Sequence, residues 1–236
     1  MALPKLNTAQ YQVYVPGLQK EVSFRPYLVK EEKILMMALE SQDQKQVLNA
    51  IKMVISGCVV ENINVNKLAM FDVETIFLHL RSKSVGERIN IQMKCSSEEC
   101  KALNDAEIEL DDIEPPVIGD NNIIKLTDEV GMTLRYPSFD DMKSLDTEKA
   151  ESIESVMALI IQCIDNIYDE NDVYPAQDSS KQELIDFVEG LNSAQFEQVS
   201  NFFEEMPALK YDLEFKCNTC DHENKVELKG IQSFFT

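Results

Sequence analysis

The spacing of hydrophobic and polar residues divides the N-terminal part of the chain into a hairpin and three helices. QVYVPGLQKEVSF (12–24) alternates around a Pro-Gly pair, which predicts two short strands. Apolar residues recur every three or four positions over 30–41 and 44–59, and this period predicts amphipathic helices. A third helix is expected over 72–84, with Asp72 as its N-cap. We expect the three helices to pack together.

After these helices the pattern changes to the strand period. Alternating strands are expected over 87–95 and 106–113. The pattern then predicts a hairpin from 123–126 and 132–136, helices over 138–148 and 150–165, and a strand pair over 166–175. Two more helices are expected over 181–191 and 193–206, the second with Ser193 as its N-cap. Closing strands are expected over 209–217 and 225–236. The pattern shows no internal repeat.

This order of elements predicts an α+β fold, in which helical clusters pack with short antiparallel hairpins. Four regions are expected: 1–86 as an N-terminal hairpin with helices, 87–137 as strands with a first cysteine turn, and 138–206 as a helical region. The last region, 207–236, carries a second cysteine turn and is expected to pack with 87–113. Two of the hairpins would together form a four-cysteine site like that of a zinc ribbon.

Composition and charge narrow the possible partners. The chain has 236 residues and is 44% hydrophobic, which is typical of a folded protein. Its formal net charge is -20, and no long basic run is present, so nucleic acid and anionic lipid are disfavoured as partners. The longest apolar stretches, such as VMALIIQCI, are shorter than a membrane span, and no signal peptide is indicated.

Four of the six cysteines occur as two close pairs, each between alternating strands. Cys95 and Cys100 are spaced CxxxxC, and Cys217 and Cys220 are spaced CxxC. Such a spacing lets a tight turn direct both sulfur atoms at one ion. We therefore expect the two pairs to share one structural Zn²⁺, which would join the middle of the chain to its end.

Two alternatives to this zinc site remain open. His222 lies two residues beyond the last paired cysteine, and an imidazole could replace one thiolate as a zinc ligand. A thiol–disulfide couple is the second alternative, although such couples are activated at a helix N-terminus and the CxxC pair leads into a strand. Cys58 and Cys163 stand singly within apolar helical patterns, where core positions are expected.

The chain shows no set of residues typical of an enzyme. It lacks a Gly-rich phosphate loop, a nucleophile elbow and an HExxH motif. His79 lies on an apolar helix, where a core or boundary position is expected. We therefore expect a protein without catalytic activity.

Several segments together resemble one known family, the T4-type bacteriophage baseplate hub proteins. The segments that carry the resemblance are FRPYLVKEEKILMMALES (24–41), FDVETIFLHLRSKSVGE (71–87), the first cysteine pair, LRYPSF (134–139), FKCNTC and the terminal SFF. The resemblance implies a structural or chaperone-like assembly protein of the contractile tail, made late in infection in the host cytoplasm. Its partners would be other hub and tail proteins, including the tape-measure protein.

A protein of this kind needs surfaces that bind partners, and aromatic residues and arginine are enriched at such surfaces. Phe24, Arg25 and Tyr27 form one candidate group, and Phe234 and Phe235 form another. Both groups could instead pack on the protein itself. The competing function is a zinc-ribbon adaptor that binds nucleic acid or transcription machinery, which the cysteine pairs favour and the net charge opposes.

Overall fold

The computed structural model describes residues 7–119, 121–144 and 152–230, with the backbone alone at Ser144. Over these residues the protein is a mixture of α-helices and short antiparallel sheets. The helices are α1 (Val29–Glu40), α2 (Gln44–Cys58), α3 (Met70–Val85), α4 (Phe139–Ser144), α5 (Ile153–Cys163), α6 (Lys181–Glu189) and α7 (Ser193–Glu204). The mixed class expected from the sequence is confirmed.

The strands form three two-stranded sheets and one four-stranded sheet within the described residues. They are β1 (Tyr11–Val15), β2 (Lys20–Phe24), β3 (Arg88–Lys94), β4 (Leu103–Glu109), β5 (Ile123–Lys125), β6 (Gly131–Leu134), β7 (Ile164–Tyr168), β8 (Val173–Pro175), β9 (Lys210–Lys216) and β10 (Glu223–Lys229). The pairs β1–β2, β3–β4 and β9–β10 are hairpins, and the larger sheet has the order β5-β6-β7-β8.

The chain divides into two compact units. Unit 1 comprises Met1–Val117 and Ala208–Thr236, and unit 2 is the intervening segment Ile118–Pro207. Unit 1 is therefore built from two separate stretches of chain, whereas unit 2 is continuous. The four smaller regions expected from the sequence stay a prediction.

In the N-terminal part of unit 1, three helices pack beside the first hairpin. α1 packs on α2, and α2 packs on α3, which also contacts β1. The third helix begins at Met70, with Ala69 as its N-cap, so the expectation that Asp72 caps it is wrong. Asp72 is instead buried, and its carboxylate accepts a hydrogen bond from the N–H of Gly17 in the hairpin turn at 2.8 Å.

The two cysteine hairpins of unit 1 share a hydrophobic core. Alternate side chains of β3, β4, β9 and β10 point inward and meet around Leu78 of α3. The buried members of this core are Leu78, Ile89, Ile91, Ala106, Ile108, Leu110, Ile113, Leu209, Leu213 and Leu228. Residues from the end of the chain thus pack directly on residues from its middle.

Unit 2 has its own core, formed between the four-stranded sheet and helices α5, α6 and α7. Its buried residues are Ile124, Leu126, Met132, Leu134, Ile160, Ile164, Leu184, Val188, Val199 and Phe202. Tyr136 stacks on Phe202, with ring centroids 5.1 Å apart. The N-cap of α7 is Asn192 rather than the expected Ser193, and it forms a capping box with Gln195.

The two units repeat one arrangement, although the sequence pattern indicates no repeat. In unit 1, Arg25 follows β2, two helices come next, and the chain returns to pair with the end of β2 at Val59. In unit 2, Arg135 follows β6, α4 and α5 come next, and β7 returns to pair with β6 from Ile164. The two units thus share this order of elements, which the hydrophobic pattern of the sequence does not reveal.

In unit 1, Arg25 joins the two ends of the helix pair. Its Nη2 donates to Glu31 Oε1 at 2.8 Å and to the carbonyl of Gly57 at 2.7 Å, and its backbone N–H donates to the carbonyl of Cys58 at 3.0 Å. Burial opposes the charge of Glu31, but the hydrogen bonds from Arg25 and from the N–H of Leu28 hold the pKa of this carboxyl below its usual value.

In unit 2, Arg135 makes the corresponding contacts. It donates to both carboxylate oxygens of Asp141 at 2.6 and 3.2 Å, to the carbonyl of Gln162 at 2.7 Å, and from its backbone N–H to the carbonyl of Cys163 at 2.8 Å. In both units the acidic partner lies six residues after the arginine, and a buried cysteine ends the second helix. We refer to these two constellations as the arginine clamps.

Candidate metal centre

Each cysteine pair lies in the turn of an antiparallel hairpin. Cys95 follows β3 directly, and Cys217 follows β9 directly, so each strand delivers one thiol to its turn. The N–H of Cys95 donates to the carbonyl of Ala102 at 2.8 Å, and the N–H of Cys217 donates to the carbonyl of His222 at 2.9 Å. The two turns are therefore closed by equivalent hydrogen bonds.

The residue after the second cysteine of each pair has left-handed backbone. Its φ is 49° at Lys101, after Cys100, and 59° at Asp221, after Cys220. A single residue in this region reverses the chain sharply, at a modest conformational cost for a residue with a side chain. The reversal leads the chain into the second strand while the cysteine remains beside the first.

The two turns bring the four sulfur atoms into one cluster. The Sγ atoms of Cys95, Cys100, Cys217 and Cys220 all lie within 4.8 Å of one another. Across the hairpins, Cys95 Sγ is 3.7 Å from Cys220 Sγ, and Cys100 Sγ is 3.8 Å from Cys217 Sγ. The expectation that the two distant pairs meet is confirmed.

These sulfur distances are those of a possible metal site and not of disulfides. A tetrahedral Zn²⁺ with Zn–S bonds of about 2.3 Å places its ligands about 3.8 Å apart, whereas a disulfide bond measures only about 2.05 Å. All four cysteines have free thiols, and the two cross-hairpin distances match the edge of such a tetrahedron. The geometry fits the ligand set of one tetrahedral ion.

The cluster is buried on one side and open on the other. Cys95 and Cys217 are 3% and 1% exposed, Cys100 is half-buried, and Cys220 is exposed. The first cysteine of each pair is thus fixed in the core, while the side of Cys220 gives an ion access to the sulfur atoms.

The electrostatics of the cluster favour a bound cation. The N–H groups of Thr219 and Cys220 lower the pKa of the Cys217 thiol to about 6, which favours its thiolate form. Burial, together with the neighbouring thiols of Cys217 and Cys220, raises the pKa of Cys95. A second negative charge is therefore opposed unless a cation compensates for it, as a thiolate-bound metal ion does.

The donor set indicates which ion fits. Four thiolates are soft ligands that suit Zn²⁺ or an iron–sulfur centre, and a tetrahedral single-ion spacing is typical of structural zinc. Four protein ligands would complete the coordination of a zinc ion and would leave no position on it for a substrate.

The other candidate ligands lie outside the cluster. The His222 side chain is exposed, and its Nε2 is 3.2 Å from Ser96 Oγ. Cys58 and Cys163 are buried at the ends of α2 and α5, where burial raises their pKa values to about 11 and about 12. Neither cysteine pair begins a helix, so the dipole that activates redox thiols is missing.

The candidate partner-binding residues have different surroundings. Phe24 is 1% exposed and lies beside Tyr11, with ring centroids 5.9 Å apart, while Arg25 forms the clamp of unit 1. Tyr27 is half-buried and lines a groove of 540 Å³ in unit 1, together with Met36 of α1. Their role in binding stays a prediction. Phe234 and Phe235 lie outside the described residues.

Two residues beside the candidate metal centre were not predicted from the sequence. Asn104 and Asn224 are each 3% exposed and lie beside the cysteine turns. Each follows the second cysteine of its pair by four residues, so the signal was a Cys-x₃-Asn spacing present twice. The arginine clamps were missed as well, although Arg25 and Arg135 each have an acidic residue six positions later.

No second metal-ligating cluster occurs in the part of the chain that the structure describes. His79, the other histidine, is half-buried, and its Nδ1 lies 2.9 Å from the carbonyl of Thr75 on the same helix. Of the helices described, none combines the length and the apolar character that a membrane crossing requires.

Fold and site together define a protein of two mixed α and β units, one of which carries a four-cysteine candidate metal centre. The family model described as T4 bacteriophage base plate protein matches residues 8–236. The chain therefore belongs to this family of phage baseplate proteins, and the resemblance seen in the sequence is confirmed. Searches of curated proteins and of solved structures found no match.

Proposed function

We propose that the protein is a non-enzymatic component or assembly factor of the baseplate hub, stabilised by one structural Zn²⁺. Membership of the baseplate family supports a structural role in the phage tail. The proposed partners are other hub and tail proteins, including the tape-measure protein, met in the host cytoplasm as a late gene product during tail assembly.

The observation that carries the zinc proposal is the sulfur spacing between hairpins. The distances of 3.7 and 3.8 Å join residues more than a hundred positions apart in sequence. An ion at this point would connect the two stretches of chain that form unit 1. Since a two-stranded hairpin alone is marginally stable, the ion would fix both hairpins in one scaffold.

The surface of unit 1 offers apolar area for protein partners. On α1, Met36, Met37 and Leu39 are each more than half exposed, and Met36 and Leu39 line the groove beside Tyr27. Methionine and aromatic side chains are enriched in protein interfaces, and methionine adapts its shape to a partner. We propose that hub proteins bind here and that Tyr27, which is half-buried, contributes to the contact, whereas Phe24 is buried.

The charges around the cysteine hairpins do not favour the nucleic-acid adaptor. Lys216 forms an ion pair with Asp221 at 2.8 Å, and Lys225 lies 3.5 Å from Asp212 and 3.2 Å from Glu214. These basic side chains are paired with acidic neighbours of their own hairpin. Such pairing, on a chain of net charge -20, leaves little attraction for a phosphate backbone.

One experiment tests both parts of the proposal. The protein is purified without added metal, its zinc content is measured, and Cys217→Ser is compared with Cys163→Ala in complementing a phage that lacks the gene. We expect one Zn²⁺ per wild-type chain, and we expect Cys217→Ser to lose the ion and to reduce the yield of complete baseplates.

Cys163→Ala is the matched control, because this thiol is buried in unit 2 and lies outside the cluster. It should retain the ion and support assembly. Wild-type protein that contains no metal would refute the zinc centre, and normal baseplates without the protein would refute the assembly role.

A further inference from the structure

Two buried asparagines connect the cysteine hairpins independently of the thiols. Asn104 lies on β4 and Asn224 lies on β10, and both occupy the same position in their hairpins, four residues after the second cysteine. Since both side chains are 3% exposed, their amide groups need hydrogen-bond partners within the protein.

Each amide oxygen accepts a hydrogen bond from the opposite hairpin. The Oδ1 of Asn104 accepts the backbone N–H of Asn218 at 2.8 Å, and the Oδ1 of Asn224 accepts the backbone N–H of Ser96 at 2.7 Å. Asn218 and Ser96 each follow the first cysteine of their pair directly. Each asparagine therefore holds the opposite turn next to its most deeply buried ligand.

Each amide nitrogen is fixed within its own hairpin. The Nδ2 of Asn104 donates to the carbonyl of Ala102 at 3.1 Å, and the Nδ2 of Asn224 donates to the carbonyl of His222 at 2.9 Å. The same two carbonyls accept the N–H groups of the first cysteines. Each asparagine side chain thus contacts two turns. Its nitrogen donates to the carbonyl that closes its own turn, and its oxygen accepts a backbone N–H of the other turn.

We propose that Asn104 and Asn224 are positioning residues of the metal centre, which align the two turns so that the four thiols are assembled before the ion binds. The proposal rests on the zinc centre proposed above. Because the two contacts are reciprocal, each turn is fixed at the backbone N–H beside its first cysteine, in addition to the hydrophobic core that the two hairpins share.

The choice of a neutral amide has an electrostatic reason. Four thiolates around one divalent ion carry a net charge of about -2, so a carboxylate at either position would add to the negative charge. An amide accepts the N–H of the opposite turn without this penalty and also donates to a carbonyl, which a carboxylate cannot do. Outer partners of this kind typically change metal affinity by about 10- to 100-fold when removed.

The test measures zinc release from Asn104→Ala and Asn224→Ala. The proteins are loaded with Zn²⁺ and mixed with an excess of a chromogenic chelator, and the release rate is followed under conditions where each variant is folded. We expect release about 10- to 100-fold faster than from the wild type. Cobalt substitution should still give a tetrahedral four-sulfur spectrum, because no ligand has been removed.

Asn90→Ala is the matched control, since Asn90 is exposed on β3 of the first cysteine hairpin. It should release zinc within about twofold of the wild-type rate. If an alanine variant does not fold, Asn104→Asp and Asn224→Asp replace it. These variants keep the volume and the accepting oxygen, and they should release zinc faster because they add charge and lose the donor.

The outcomes separate this proposal from the zinc centre itself. Wild-type protein with one Zn²⁺ and variants that release it at the wild-type rate would overturn the role of the asparagines alone, even if the variants were less stable. Wild-type protein that binds no Zn²⁺ would overturn both proposals. Faster release with an unchanged cobalt spectrum would support the asparagine role.

Discussion

Each unit contains an arginine clamp, but unit 2 is built from one segment of the chain and unit 1 from two. Unit 2 is one continuous segment, and its four-stranded sheet is covered by helices around a single core. Unit 1 is assembled from two distant segments, and its sheets have only two strands each. The hairpins of unit 1 are stabilised by packing on α3 and on one another, and the four-cysteine cluster offers a further connection between the two segments.

Removal of the proposed zinc ion should affect the two units very differently. Chelation of the ion should lower the free energy of unfolding of unit 1 by about 5 kcal/mol or more, because the binding energy of structural zinc contributes directly to folding. Hydrogen exchange followed by mass spectrometry should show loss of protection in β3, β4, β9 and β10, while β5 to β8 remain protected. Cys217→Ser should give the same pattern.

Cys163→Ala is again the control, since it alters a core position of unit 2 and leaves the cluster intact. Its effect on exchange should be confined to unit 2. Equal loss of protection in both units after chelation would show that the difference between them does not depend on the ion.

The arginine clamps give a second, smaller contrast. The side chains of Arg25 and Glu31 are 21% and 6% exposed, whereas those of Arg135 and Asp141 are 43% and 13% exposed. Arg25→Ala leaves the more deeply buried carboxylate without its main partner and should cost about 3 kcal/mol, and Arg135→Ala should cost about 1 to 2 kcal/mol. Urea unfolding combined with hydrogen exchange measures the loss in each unit.

Arg88→Ala serves as the reference for an exposed ion pair. Arg88 is 65% exposed beside Glu107 and Glu109, so its removal should cost no more than about 0.5 kcal/mol. Equal costs for Arg25→Ala and Arg135→Ala would contradict the view that burial of the acidic partner sets the strength of each clamp.

The sequence predicted those features that depend on local patterns. The alternating segments around Cys95 and Cys217 predicted both hairpins, and the thiol spacing predicted that they share a site. Periodicity did not predict the clamps, because Arg25 and Arg135 act through carbonyls about 30 residues away. The N-caps of α3 and α7 lie three residues and one residue before the predicted positions. Ala69 caps α3 without a side-chain hydrogen bond, so no polar residue marks that start, and Asn192 precedes the equally suitable Ser193 at the start of α7.

The reciprocal asparagines show a further limit of sequence reasoning. The spacing Cys-x₃-Asn is visible in both hairpins, but an asparagine near a turn is ordinarily a turn residue. Only the packing of one hairpin on the other reveals that Asn104 and Asn224 are buried and bonded across the interface. Tertiary contacts of this kind leave no periodic signal in the chain.

The smallest contrast concerns the β1–β2 turn of unit 1 and the β5–β6 turn of unit 2, each of which is bonded by a helix side chain. In unit 1, the carboxylate of Asp72, the third residue of α3, accepts the N–H of Gly17. In unit 2, the amide of Gln195, the third residue of α7, donates to the carbonyl of Leu126 at 2.9 Å. Burial raises the pKa of Asp72 to about 6, although the Gly17 N–H acts in the opposite direction. Only the first turn is therefore held by a titratable group.

The raised pKa of Asp72 sets the sign of its effect on stability. Its folded-state pKa of about 6 exceeds its ordinary value of 3.8, so the folded state gains stability as pH falls through 6 and loses it as pH rises. Asp72→Asn keeps the accepting oxygen without the buried charge, and it should stabilise the protein by about 1 to 2 kcal/mol at pH 7.5. This difference should shrink steadily between pH 7 and pH 5.

Urea unfolding of the wild type and Asp72→Asn at pH 7.5, 6 and 5 measures this difference, and comparison at equal pH cancels any change in zinc binding common to both proteins. Gln195→Ala is the counterpart in unit 2, and it should cost about 1 to 2 kcal/mol at every pH, because it removes two neutral hydrogen bonds, one to Leu126 and one in the capping box with Asn192. A difference between the wild type and Asp72→Asn that stays constant with pH would mean that the buried carboxyl does not titrate in this range. The two hairpin turns would then be equivalent in their response to acid.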